Sequence, residues 1–272
     1  MKSFYVTYFM AYVIDVVEIC KTKIFFSFPT YEWWLGFLKS NLASYMLPCL
    51  SYVCTHASAM DSVCLALHTL IAIRFPVFYK IKWMNWTTLI NIFMQILLPI
   101  TVFSYEFGKR AKLKYDLEKD DYSYSMEDPY ISKLNNTIAP IFSTTILLLN
   151  ILFNCFNFYV LVLCKNSKNI SKIDKSQSIR LVLYSSISTI GISTIALRYW
   201  IKFIGIYSDS SSIKNFGQSL GTWTSTIECC SKPFLLIIAD KNIRKGFVYF
   251  YLRRNIISNV GNTQNITTTR KS

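Results

Sequence analysis

Residues 66–83 read ALHTLIAIRFPVFYKIKW. An aliphatic run that ends in a proline, aromatic residues and spaced lysines has the pattern of a helix leaving a lipid bilayer. Pro76 stops the helix, Arg74, Lys80 and Lys82 meet the charged surface, and Phe75, Phe78, Tyr79 and Trp83 supply interfacial aromatics. Five further stretches are long enough, or nearly so, to cross a hydrocarbon layer of roughly 30 Å, which takes about 20 helical residues. The expected spans are 4–20, 43–73, 87–106, 138–164, 178–206 and 217–239. The first carries Asp15 and Glu18 and lacks a small-residue cleavage site, which makes it a poor signal peptide. The last is polar along GTWTSTIECCSKP and is credible only as a helix packed inside a bundle.

Composition agrees with a membrane chain: 272 residues are 52% hydrophobic, with a mean hydropathy of +0.32. The net charge of +14 could suggest nucleic acid, but long neutral runs separate the charge clusters, so no nucleic-acid partner is expected. Eight cysteines could suggest a disulfide scaffold, yet Cys54, Cys64, Cys155, Cys229 and Cys230 lie inside apolar stretches and read as small membrane-compatible residues. Whether Cys20 and Cys49 form a disulfide stays open. His56 and His68 are the only histidines, too few for a metal box, and no nucleophile motif is present. No cofactor, metal or enzymatic activity is expected.

Lysine and arginine near the span ends place Met1 in the cytoplasm. Lys80 and Lys82, then Lys165, Lys168, Lys172, Lys175 and Arg180, then Lys241, Arg244, Lys245, Arg253 and Arg254 fall on that side. The loop 107–137 falls outside and mixes bases with acids. Asn135, in AsnAsnThr, is then the glycosylation candidate, because the sequons at Asn85, Asn169 and Asn265 would be cytoplasmic. Trp33 and Trp34 read as outer-interface anchors. Residues 242–254 read as a basic amphipathic surface helix and 255–272 as a disordered cytoplasmic tail. The bundle would thus occupy 1–254.

Polar residues inside spans are expensive in lipid and point to function or to helix contacts. Cys54, Asp61 and His68 recur every seven residues and, with Ala57 and Ser58, form one small, polar face. Asp61 reads chiefly as a buried, hydrogen-bonded carboxyl, with a proton- or cation-sensing role as the alternative. Asn150, Asn154 and Asn157 share a face that either lines a cavity or bonds span to span. Glu228 and Lys232, four apart, can pair on one side of a helix. Arg198 and Lys202 read as snorkelling outward, with contact to an anionic ligand as the lesser reading.

The spacing of Pro76 and Tyr79 resembles the inner end of the third helix of seven-helix receptors, which sets His68, Thr69 and Leu70 on the AspArgTyr positions of rhodopsin-like receptors. PhePro at 75 and 76 with TyrLysIleLysTrp at 79–83 is closer still to the nematode serpentine receptors of class gamma or a closely related chemoreceptor class. The resemblance implies an all-α polytopic bundle, with six spans present and no counterpart of the first helix. It further implies a chemosensory receptor in the plasma membrane of sensory cells. An external small molecule or pheromone would rearrange the helices, and a heterotrimeric G protein would read the change. Coupling would fall to His68, Thr69, Arg74, Pro76 and Tyr79. Asp61, Asn150, Asn154, Asn157, Glu228 and Lys232 are the candidates for the bundle interior or pocket. The chain departs from the pattern at Thr69, where an arginine is expected, at Ser44, where a disulfide cysteine would lie, and at Lys232, where an asparagine precedes the proline. Residues 178–206 also lack a proline. A truncated remnant that does not signal, or a small transporter, is the alternative.

Overall fold

The computed structural model describes residues 2–22, 36, 40–116, 121–165 and 172–239. The expected surface helix 242–254, the tail 255–272, Trp33 and Trp34 lie outside the described residues, as does most of the basic connection after Lys165. Contacts divide the chain into Met1–Ser231 and Lys232–Ser272. The packing set out below is that of the first unit; the second contributes only the last turns of one helix.

Helix α1 is Lys2–Thr22 and α2 is Asn41–Arg74. Ser40 starts α2 by accepting the Ala43 N–H on its hydroxyl at 3.3 Å, which satisfies one of the donors a helix start leaves free. The helix stops where the sequence placed the stop. Phe75 leaves helical geometry at φ −128° and ψ 61° while its N–H still reaches Ile71 O, and Pro76 opens the next helix, where a missing N–H costs nothing.

The chain then runs through α3 (Pro76–Phe78), a π-helical turn (Tyr79–Trp83), α4 (Met84–Asn91), a second π-helical turn (Ile92–Leu97) and α5 (Leu98–Val102). The axis of Pro76–Trp83 is bent by 84° from that of Trp86–Val102. The expected span 87–106 is therefore not one regular helix, and Ser104–Glu106 forms a separate 3-10 turn beyond it. Gly108, at φ 74°, turns the chain into a hairpin of β1 (Ala111–Asp116) and β2 (Asp121–Met126). Ala111 pairs with Met126 and Asp116 with Asp121. This ribbon within the 107–137 loop is absent from the sequence reading. Three long helices complete the order: α6 (Pro129–Lys165), α7 (Lys172–Tyr207) and α8 (Ser211–Ala239). Each begins before the span expected for it.

Burial is inverted relative to a water-soluble protein. Asp15, Glu18, Lys21, His56, Asp61, His68, Gln95, Asn150, Asn157 and Glu228 are buried, whereas Phe9, Val13 and Val17 of α1 and Leu148, Phe156, Phe158 and Val162 of α6 are exposed. Such a continuous apolar exterior suits lipid rather than water. Helix α2 is the hub. Its Ala57, Ala59, Ala66 and Ser58 are nearly or fully buried, and small side chains let neighbouring backbones come close. Ala59, Met60 and Val63 meet Phe103, Ala139, Ile146, Ile192, Ile195 and Tyr199 in one core.

Three described helical stretches are long and apolar enough to cross a membrane: Pro48–Arg74, Pro129–Leu163 and Ser185–Tyr207. Pro76–Trp83 with Trp86–Val102 makes a fourth if that bent pair is one span. Helices α1 and α8, also expected as spans, have the length but carry buried charge, Asp15, Glu18 and Lys21 in α1 and Glu228 in α8. Their place in a membrane depends on packing against neighbours rather than on their own apolarity.

Candidate functional site

The polar face read on α2 turns inward, and α1, the second π-helical turn, α6 and α8 each meet this helix with a polar side chain. From α1, Asp15 accepts a hydrogen bond from Ser58, whose oxygen also lies 3.9 Å from Cys229 Sγ of α8. One turn on, Lys21 Nζ stands 2.6 Å from Glu18 Oε2 and donates to Ser51 O and Thr55 Oγ1, each at 3.3 Å. Gln95 donates to Asp61 Oδ1 at 3.4 Å from the π-helical turn, where the missing regularity of the helix leaves room for it. Asn157 donates to Ala66 O at 2.9 Å. Asn150 and Asn154 instead clasp α7, both reaching Thr189 Oγ1, at 3.0 and 3.1 Å. The three asparagines thus tie spans together. Glu228 and Lys232 are both buried on α8.

At the C-terminal end of α2 the ring of His68 is held from two sides. The Trp83 indole donates to Nδ1 at 2.9 Å, and Nε2 lies 2.8 Å from Tyr79 Oη. An indole N–H can only donate, so Nδ1 is the acceptor, and Nε2 carries the hydrogen and donates to the phenol. Of the expected coupling residues, His68 and Thr69 are buried, with Thr69 bonded back to Leu65 O. Both therefore lie inside the bundle rather than at its open surface. Trp83 is likewise buried rather than interfacial, because its only polar atom is used on His68. The exposed members are Arg74 and Pro76, with Tyr79 between. Around them Phe75, Pro76, Val77, Phe78, Ile81 and Lys82 line an apolar depression of about 490 Å³.

The opposite end of the bundle has an aromatic floor. Tyr52 stacks on Phe103 at 5.3 Å and His56 on Tyr199 at 5.2 Å, while the His56 and Phe103 rings meet at a tilt with centroids 4.8 Å apart. Above it Glu106 is fully buried beside the side-chain amide of Asn135, which is 1% exposed and acts on the carboxylate. A glycan has no access to an amide so buried, which counts against Asn135 as an acceptor in the folded chain. Arg198 turns inward rather than snorkelling: its Nη1 is 3.5 Å from Gly221 O and its Nε is buried without a partner. Lys202 is half-buried near Arg198 and Glu106.

Glu106, Gln95, Lys21 and Trp83 were not singled out as interior residues by the sequence reading. The available signal for the first two was a polar residue within or at the end of an apolar span. Cys20 and Cys49 are free thiols, and among the described residues no three His, Cys, Asp or Glu side chains converge as a metal site.

A lipid-facing apolar exterior around a polar interior, organised on one central helix, defines an integral membrane helical bundle. Its family follows from comparison: the model of the serpentine type 7TM GPCR chemoreceptor Srv family matches residues 2–252, and the chain belongs to that family. The matched class is Srv, where the residues at 75–83 resembled class gamma or a near relative. No curated protein matches the chain. The family is one of receptors, not enzymes.

Proposed function

We propose that the chain is a chemosensory receptor that takes an external small molecule at the Tyr52–Glu106 end of the bundle and couples to a heterotrimeric G protein at the Arg74–Lys82 turn. The observation that carries this reading is the continuity of α2. Tyr52 and His56, in the aromatic floor, and His68, in the clasp at the other end, lie on one unbroken helix to which α1, α6 and α8 are all hydrogen-bonded. A ligand that favours one packing of these neighbours shifts the equilibrium that the far end presents.

In this reading Met1 is cytoplasmic, the hairpin faces outside, and the receptor sits in the plasma membrane of sensory cells. Thr69 bonds to its own helix, so coupling passes through the exposed Arg74 and the apolar depression beside Pro76. The test is ligand-dependent nucleotide exchange on a co-expressed G protein. Wild type should respond, and Pro76→Ala, which lets α2 run on, should respond less. Full signalling by Pro76→Ala would count against the turn as the coupling element, and a ligand that binds without any exchange would favour the non-signalling remnant.

A further inference from the structure

The five polar side chains above the aromatic floor form an unfinished hydrogen-bond set. Glu106 offers two acceptor oxygens on which the Asn135 amide already acts, Asn135 keeps an unbonded acceptor oxygen, and Tyr105 an unbonded hydroxyl, all buried. Arg198 adds an unbonded Nε donor, and Lys202 a second cation. Buried polar groups in folded proteins are paired in the great majority of cases, and leaving one unpaired is costly. Here they come from four separate places in the chain: the 3-10 turn after α5 (Tyr105 and Glu106), the start of α6, and two successive turns near the end of α7. They are brought into one region, since Phe103, Ala139 and Tyr199, each beside or one turn from Glu106, Asn135 and Arg198, pack in one core, and Lys202 acts electrostatically on Glu106. Yet neither cation comes within 4.0 Å of Glu106, because Arg198 is drawn aside to Gly221 O.

Glycine at 221 is what allows that position. A Cβ there would lie 2.6 Å from Arg198 Nη2, so any other residue displaces the guanidinium. The fold therefore holds a buried acid and two half-buried bases apart, without an ion pair, at the same end of the bundle. Adding a ligand with only one charge would leave the other half of the set unmet.

We propose that this cluster binds a small zwitterion, an amino carboxylic acid whose ammonium meets Glu106 and Asn135 and whose carboxylate meets Arg198 and Lys202. Glu106 accepts the charged N–H groups, and the Arg198 guanidinium and Lys202 ammonium donate to the carboxylate. Tyr52, Phe103 and Tyr199 lie beneath, where an ammonium gains from aromatic faces. The proposal names the ligand chemistry of the receptor reading above and rests on that reading only for what binding then does.

The test uses the full chain in lipid nanodiscs and a ladder of linear ω-amino acids from glycine to aminocaproate, with butyrate and butylamine as singly charged controls. Thermal stabilisation reads binding, and nucleotide exchange on a G protein in the same preparation reads signalling. At least one rung should raise the melting temperature while neither control does so at the same concentration. Glu106→Gln and Gly221→Ala, the second removing no proposed contact atom but displacing the Arg198 guanidinium, should each weaken that binding at least tenfold. Stabilisation by no rung, equal stabilisation by butyrate or butylamine, or undiminished binding by both variants would overturn the proposal. The wild-type comparison needs no variant to fold. Binding without exchange leaves the zwitterion site standing and removes the receptor reading, whereas exchange driven by other molecules with no rung bound does the reverse.

Discussion

The indole nitrogen of Trp83 lies 2.9 Å from Nδ1 of His68, fifteen residues earlier in the chain, and closes the Pro76 turn onto the end of α2. The bond requires a neutral imidazole, since Nδ1 must keep its lone pair. Trp83→Phe keeps an aromatic ring but removes the hydrogen bond that His68 Nδ1 accepts. It should lower unfolding free energy in bicelles by about 1–3 kcal/mol. A variant as stable as wild type would mean that the clasp carries no weight.

Asn154 and Thr189 join α6 to α7 through a bond of 3.1 Å. In membranes such bonds are weak, because helices separated in lipid find other partners. A double-mutant cycle of Asn154→Leu and Thr189→Val should return a coupling of about 0.6 kcal/mol and no more than about 1.7 kcal/mol. A coupling indistinguishable from zero would reassign the asparagine face to another task.

Lys21 and Glu18 form a buried pair on consecutive turns of α1, braced by Ser51 and Thr55 of α2. Removing one partner strands a charge away from water. Lys21→Met should cost about 3–5 kcal/mol, while Lys21→Met with Glu18→Leu should recover most of that loss. Equal losses from the single and double variants would show that the side chains act by packing alone.

On the hairpin side, Lys112 and Glu127 pair at 2.7 Å with both side chains largely open to water. The hydrogen bond and charge of Lys112 hold the Glu127 carboxyl below its ordinary 4.5. A depressed acid contributes stability above its unfolded value and loses it as pH falls through the folded value. Amide protection of 111–126 should therefore be level above 4.5, decline below it, and weaken with added salt at neutral pH. Loss of protection beginning well above 4.5 would assign it to another group.

The turn at 75–83 was legible because proline, aromatic and basic residues each have one physical use at a membrane edge. Trp83 was misread for the same reason: a tryptophan at the level of the interface has the same sequence signature whether it faces headgroups or His68. The asparagine face on α6 was legible from its period, but its partner, Thr189, was not, since helix periodicity says which residues share a side and not what stands opposite. The hairpin left a signal that went unused, as Ala111, Leu113 and Tyr115 alternate with Lys112, Lys114 and Asp116. Glu106 and Arg198 could not be joined from sequence at all, because their proximity depends on how α5 and α7 pack around α2.

The central claim is that the Glu106 end of the bundle faces the outside and the Trp83 end the cytoplasm. It is tested most directly by epitope tags placed in the hairpin turn after Asp116 and in the connection between α6 and α7, stained in intact and in permeabilised cells. The account predicts hairpin staining in intact cells and staining of the α6–α7 connection only after permeabilisation. The reverse pattern, or both tags on one side, would contradict it.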